Sequence, residues 1–254
     1  MTRMEGRVAL VTGAAQGIGR AYAEAMAQAG AAVVAADMAD TSDVVASIEG
    51  SGGTAIGVSA DVTSQADGSA AVAAALDRFG SVDILVNNAA YYGGLSLAPF
   101  DEVDEADWDR AMAVNVKGSW LMCRAVAPPM RSAGYGRIIN ISSNVIFMGK
   151  PNFLHYVASK GAVWAMTNAL SRELAGTGVT VNCVAPGYTI TPATRNMGDS
   201  EQVAALEDQI IGVQSMKRLL EAGDIVGSVL YLASDDASMV TGQTIVVDGG
   251  VIVG

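Results

Sequence analysis

Short apolar runs, bounded by glycine or polar residues, recur along the whole chain at 8–11, 32–36, 55–59, 84–86, 137–141 and 179–184. Runs this brief and continuously apolar fit strands buried on both faces of a parallel sheet. Between them lie longer segments with helical spacing, at 18–29, 70–79, 108–127, 156–174 and 223–233. The alternation predicts a Rossmann-type α/β fold, a doubly wound parallel sheet flanked by helices on both faces. A last strand over 244–247 closes the sheet before the turn Asp248-Gly249-Gly250.

No linker or shift in composition divides the 254 residues, so a single domain over 1–254 is expected. Only 189–216 breaks the rhythm, as a longer insertion carrying Ile190, Met197, Ile210, Ile211, Val213 and Met216. It follows the carboxyl end of a strand, where ligands bind in such sheets, and reads as a substrate lid; the plainer alternative is a surface helix pair.

The formal net charge is −11 and no Lys/Arg run relieves it, which argues against nucleic acid or an anionic membrane as partner. No apolar run reaches the roughly 18 residues that span a bilayer, and the start of the chain shows no secretion signal. Cys123 and Cys183 each lie in apolar stretches and suit small buried hydrophobes. A cytoplasmic protein is expected.

The first strand leads through Thr12-Gly13-Ala14-Ala15-Gln16-Gly17-Ile18-Gly19 into a helix. Glycines there permit a sharp turn and let phosphates approach amide N–H groups at the helix N-terminus, although a ligand-free turn has the same spelling. Asp37 ends the second strand, where a carboxylate can accept hydrogen bonds from adenosine ribose hydroxyls and repel a 2′-phosphate. Tyr156 and Lys160 are four residues apart on a helical segment and share a face. Bringing a phenol from its ordinary pKa to neutrality takes roughly 4 kcal/mol of phenolate stabilisation, within reach of an ammonium and a helix dipole together. Ser143, just past the 137–141 strand, can donate to a substrate oxygen, while strand parity turns Ser142 the other way.

These features, with Asn87-Asn88-Ala89-Ala90, Val114-Asn115-Val116 and Pro186-Gly187-Tyr188-Thr189-Ile190-Thr191, resemble the short-chain dehydrogenase/reductase family. The resemblance implies a metal-free oxidoreductase moving hydride between nicotinamide and a carbonyl or secondary alcohol carbon. It implies a cofactor site made of Gly13, Gln16, Gly17, Ile18, Gly19, Asp37, Asp61, Val62, Asn88, Tyr156, Lys160, Pro186, Gly187, Thr189 and Thr191. Asp61, Val62 and Asn88 would frame the adenosine, and 186–191 would hold the carboxamide. For catalysis it implies Asn115, Ser143, Tyr156 and Lys160. Tyr156 is then the acid/base, Ser143 orients the oxygen, Lys160 lowers the phenol pKa and binds the nicotinamide ribose, and Asn115 supports a water relay. Ala90 and Thr189 depart from the family spelling, which has glycine and Val or Ile there. Gln16, Asp37 and Met38 stand where NADP-using relatives carry a basic residue, so NAD is the expected cofactor.

Tyr91, Tyr92, Val145, Ile146, Phe147, Phe153, Leu154 and Tyr188 are expected to line the substrate pocket, with no obvious cation among them. That points to a neutral, hydrophobic secondary alcohol or ketone, aromatic or alicyclic. A 3-oxoacyl-(acyl-carrier-protein) reductase is the main alternative, and a non-catalytic dinucleotide sensor a third. His155 reads as a helix-start or pocket contact, Asp235-Asp236 as a solvated turn pair, and the three tryptophans as packing residues. Ala158, Ser159, Gly161, Ala162 and Ala165 would let a second helix approach the one carrying Tyr156. Relatives pair such helices and their C-terminal strands across two-fold axes, so a homotetramer is expected.

Overall fold

In β1 (Val8–Thr12) the side chains of Ala9 and Val11 enter one hydrophobic core and those of Val8 and Leu10 enter another. The same two-sided burial recurs in β2 (Ala32–Asp37), β4 (Ile84–Asn87), β5 (Gly136–Ile141) and β6 (Val179–Pro186), which is why their sequences are apolar at consecutive positions. With β3 (Thr54–Ser59) and β7 (Thr244–Val247) they form one seven-stranded parallel sheet, in the order β3-β2-β1-β4-β5-β6-β7. This is a doubly wound, Rossmann-type sheet. The computed structural model describes residues 4–195 and 200–253.

One core lies under α1 (Gly17–Gln28), α2 (Ser42–Gly50) and α10 (Ala222–Ala233), and the other under α3 (Gln65–Phe79), α5 (Ser119–Ala133) and α7 (Leu154–Glu173). Shorter helices α4 (Glu105–Ala111), α6 (Val145–Met148) and α8 (Pro192–Arg195), with α9 (Ser200–Val213), gather around the carboxyl ends of the strands. Strand order reverses between β1 and β4, and the crevice this opens is where such sheets bind dinucleotides. No helix of the described residues is long and apolar enough to cross a membrane.

The expected strands are all present, but the single helix expected over 108–127 is not. It is α4, then a π-helical turn over Met112–Gly118, then α5, which runs on through Pro128 and Pro129. Proline weakens a helix by removing an N–H, yet Met130 beyond the pair is fully buried, and that packing carries the helix to Gly134, whose left-handed conformation ends it.

Asp235 also differs from expectation. It is 71 % exposed but paired, with Arg7 at 3.6 Å and Arg137 at 3.3 Å, and it accepts the Tyr135 hydroxyl at 3.1 Å. Both guanidinium groups stack on the Tyr135 ring, 3.6 and 4.3 Å from its centroid. This cluster ties the amino-terminal ends of β1 and β5 to the end of α10, at the pole of the sheet opposite the crevice. Nor are all the tryptophans packing residues, since Trp120 is 44 % and Trp164 40 % exposed.

Candidate active site

At the β1–α1 junction the backbone comes too close to its neighbour for any side chain. Gly13 has φ +65°, and a Cβ there would lie 2.8 Å from Ala89 Cα and 2.9 Å from Asn88 Nδ2. The Asn88 amide donates to the carbonyls of Thr12 and Gly13 at 3.0 and 3.1 Å, and Thr12 Oγ1 accepts the N–H groups of Asn88 and Ala89, both at 3.1 Å. Asn88 therefore fixes the shape of the turn. Helix α1 starts at Gly17 with no capping side chain and no acid in its first turn, and Gly17, Ile18 and Gly19 face the crevice. Unclaimed N–H groups at the positive end of a helix fit a pyrophosphate.

Asp37 braces the same turn. Its Oδ2 accepts the Ala15 N–H and its Oδ1 the Ala39 N–H, both at 2.9 Å. Each oxygen keeps accepting capacity for a ribose hydroxyl, and Met38 beside it is exposed without charge.

From this turn a cavity of about 690 Å³ extends across the carboxyl ends of the strands. All fifteen residues expected to hold the cofactor line it, and so does Ser143. Asn115 does not. It sits in the π-helical turn, buried, with Oδ1 accepting the Tyr91 N–H at 2.7 Å and Nδ2 donating to Ser159 Oγ at 2.9 Å. Ser159 Oγ donates on to the Tyr156 carbonyl at 2.8 Å, so the Asn115 side chain anchors α7.

Tyr156 and Lys160 lie on the buried face of α7. The Lys160 ammonium donates to the Ile141 carbonyl at 2.8 Å and stands 5.7 Å from the Tyr156 ring centroid. Burial pushes Lys160 down to about 8, opposed by Cys183 nearby. Burial also pushes the Tyr156 phenol well above its ordinary value, Tyr92 adding to this and the Ser143 hydroxyl opposing it. Burial is the largest of these influences, and it acts against the expected lowering. Apart from the Tyr156 phenol, Ser143 Oγ has only long contacts, to the Pro186 carbonyl at 3.5 Å and from the Val145 N–H at 3.4 Å, which leaves it able to turn toward a substrate oxygen. Ser142 points away and donates to the Lys160 carbonyl at 2.8 Å.

A family model described as enoyl-(acyl carrier protein) reductase matches residues 13–252. The chain belongs to the short-chain dehydrogenase/reductase family. It is 36 % identical over 253 residues to a 3-oxoacyl-[acyl-carrier-protein] reductase of Thermotoga maritima, covering 99 % of this chain and 100 % of the other. It is 38 % identical over 252 residues to a cyclopentanol dehydrogenase of Comamonas testosteroni, covering 98 % of each. Among solved structures, a gluconate 5-dehydrogenase from Burkholderia cenocepacia, in complex with NADP and tartrate, superposes with a TM-score of 0.91 at 35 % identity, covering 98 % of this chain and 96 % of that one. As a short-chain dehydrogenase/reductase the protein is an oxidoreductase, and the dehydrogenases of this family use a nicotinamide dinucleotide.

The substrate end of this short-chain dehydrogenase/reductase differs in part from expectation. Tyr92, Val145, Phe153 and Tyr188 line the cavity, whereas Tyr91, Ile146, Phe147 and Leu154 do not. The Tyr91 hydroxyl donates to Gly94 O and Asp107 Oδ1, and Phe147 and Leu154 are exposed. His155 is buried at the start of α7, edge-on to Phe153, with both ring nitrogens unpartnered, and burial lowers its pKa. It does not line the cavity. Of the 189–216 segment, Leu206, Ile210 and Val213 of α9 line the cavity, Tyr188 donates to Glu207 at 3.4 Å, and Met197 lies outside the described residues.

Two features escaped the sequence reading. Asp248 accepts from Asn144 Nδ2 at 3.1 Å and from the N–H groups of Gly250, Val251 and Ile252, while Gln214 Nε2 donates to its carbonyl; together they hold the end of the 189–216 segment against β7. The Asp-Gly-Gly turn was the available signal. The second is Lys150, which lines the cavity although no cation was expected there. It is spelled out six residues before Tyr156, but nothing in its local sequence says which way a loop lysine points.

Proposed function

We propose that the protein is an NAD-dependent oxidoreductase interconverting a hydrophobic secondary alcohol and its ketone. The observation that carries this reading is one continuous cavity with Asp37 at one end and Tyr156, Ser143 and Lys160 at the other. A bound nicotinamide dinucleotide would supply the hydride acceptor or donor. The glycine turn and the start of α1 would hold its pyrophosphate, Asp37 its adenosine ribose, Asp61, Val62 and Asn88 the walls of that pocket, and Pro186, Gly187, Thr189 and Thr191 its other end.

The chain's own groups handle the proton. Tyr156, kept protonated by burial, donates to the carbonyl oxygen in reduction, and as a phenolate it takes the hydroxyl proton in oxidation. Ser143 donates to the same oxygen and stabilises charge that develops on it. Lys160 places a positive charge beside the phenol and favours its ionised form. Asn115 positions α7 from behind. The segment 189–216 acts as the lid, its apolar α9 face excluding water from the reacting carbon.

Asp37 favours NAD, because a second negative charge beside a 2′-phosphate is unfavourable. The presence of Lys150 removes the argument for a strictly neutral substrate. The 3-oxoacyl-(acyl-carrier-protein) reductase reading has the Thermotoga relative in its favour, but a net charge of −11 opposes docking of an acidic carrier. The deciding experiment is nicotinamide absorbance with cyclic, aryl and straight-chain alcohols and ketones, and with an acetoacetyl thioester, under each cofactor in turn. Turnover of the alcohols with NAD⁺ supports the proposal; activity confined to the thioester with NADPH overturns it.

A further inference from the structure

Two cations line the cavity among the described residues, Lys160 and Lys150. Lys160 is committed to the Ile141 carbonyl. Lys150 has no ion pair and no hydrogen bond there, and the acids of the same wall are engaged elsewhere: Asp37 with Ala15 and Ala39, Asp61 with Thr63, and Asp248 with Asn144 and three backbone N–H groups.

The placement of Lys150 is built into the backbone. It lies in the loop between α6 and α7, with Gly149 before it at φ +61° and Pro151-Asn152 after it. Asn152, also at φ +61°, is the one non-glycine residue with positive φ among the described residues. Such a conformation persists where the surroundings enforce it. Here the Asn152 carbonyl accepts the Ala98 N–H at 3.1 Å, stitching the loop to the segment that follows Tyr92. The Lys150 ammonium then lies 5.6 Å from the Phe153 ring centroid, and that ring is 4.7 Å from the ring of Tyr156 and 6.0 Å from that of Tyr92. The Phe153 ring thus neighbours both the ammonium and the ring that carries the reacting hydroxyl.

We propose that Lys150 is a specificity-determining residue that binds a carboxylate on the substrate, at the end remote from the reacting carbon. This rests on reading the cavity as the substrate site, and it narrows the substrate class to an oxo or hydroxy acid with an apolar middle. A half-buried ammonium without a counter-ion is unfavourable, and a carboxylate brought by the ligand restores the missing partner. Burial lowers the proton affinity of Lys150 in keeping with this. One compact ammonium suits a monoanion better than a phosphate, which is commonly met by a fork of donors. With Phe153 next to both groups, a carboxylate on Lys150 would sit several bonds from the carbinol carbon, so 2-oxo acids fit poorly.

The test uses the full-length enzyme with NADH bound and needs no turnover. Quenching of the bound nicotinamide fluorescence is titrated with 5-phenylpentanoate and with 5-phenylpentanamide, for wild type, Lys150→Met and Lys150→Arg. Wild type is expected to bind the acid about tenfold more tightly than the amide, Lys150→Met to lose that ratio and Lys150→Arg to keep most of it. An equal ratio in wild type and Lys150→Met overturns the proposal, as does a wild type that binds neither compound or does not distinguish them. In parallel, NADH-dependent reduction of 5-oxo-5-phenylpentanoate is measured. A Lys150-dependent preference in binding, with no turnover of any ketone or alcohol, would leave Lys150 its role and remove the proposed oxidoreductase reaction.

Discussion

Lys160 gives its short hydrogen bond to the carbonyl of Ile141, 2.8 Å away, so it stands beside the Tyr156 ring as a charge without bonding to its hydroxyl. The influence of the lysine on the phenol is therefore electrostatic and lasts only while it is protonated. With its pKa pushed down to about 8, Lys160 is charged below that value and neutral above it. The kcat/KM for ketone reduction should accordingly be level at lower pH and fall above about 8, and the falling limb should be absent in Lys160→Met. If the limb persists unchanged in that variant, another group is responsible for it.

Tyr156→Phe keeps the ring packing against Phe153 and Tyr92 and removes only the proton donor. Turnover should drop by about 10²–10⁴-fold, with NADH affinity little altered. Stopped-flow or steady-state rates and a fluorescence titration measure the two separately; a variant retaining a tenth of wild-type turnover would exclude Tyr156 as the acid/base.

Asp37→Ala removes the carboxylate that braces Ala15 and would meet the ribose. It should narrow the ratio of kcat/KM for NAD⁺ over NADP⁺, chiefly through a higher KM for NAD⁺. A wild-type enzyme that already prefers NADP⁺ would contradict the role given to this residue.

The cluster at the opposite pole of the sheet should govern stability and leave chemistry alone. Arg137 is 4 % exposed and donates to the carbonyls of Ser234 and Gly136, whereas its partner Asp235 is mostly in solvent. Arg137→Met should cost about 2 kcal/mol or more by stranding buried carbonyls, and Asp235→Asn about 1 kcal/mol or less. Urea unfolding monitored by circular dichroism gives the order, and the reverse order would show that the exposed ion pair dominates.

Assembly offers another test. Trp120 on α5 and Trp164 on α7 are both part-exposed, and β7 is a sheet edge with no partner on its outer side among the described residues. A homotetramer built on these two surfaces is expected. Light scattering at micromolar concentration should give four times the 25.9 kDa chain mass, and Trp164→Lys should lower it. A wild-type mass near one chain would remove both interfaces.

The central strands were legible because burial on both faces writes itself into consecutive apolar letters, as in Val8-Ala9-Leu10-Val11. The glycine turn, Asp37 and the Ser143, Tyr156 and Lys160 spacing were legible for a related reason: each sits at a strand end or helix start that the pattern located. Helix α2 was missed because Ser42–Gly50 is short and β-branched at Val44 and Val45. What tertiary contacts decide was hidden. Nothing local shows Met130 carrying α5 past two prolines, Tyr91 turning to Asp107, or Lys150 facing inward.

The π-helical turn over Met112–Gly118 has a consequence for how this fold can vary. Such a turn holds an extra residue relative to α geometry, and each residue of an α-helix advances the side chains by about 100°. Because the turn absorbs that residue, deleting one residue there would let α4 and α5 merge into one regular helix with their faces still nearly in phase, whereas winding the present length as α-helix would rotate α5 by about that angle. Met122, Cys123, Val126 and Met130 now point into the sheet. After such a rotation they and the anchor Asn115 could not all keep their directions at once. The phase of a core helix and the seating of the helix that bears Tyr156 are thus a single variable, and the π-helical turn is what fits this length of chain to both.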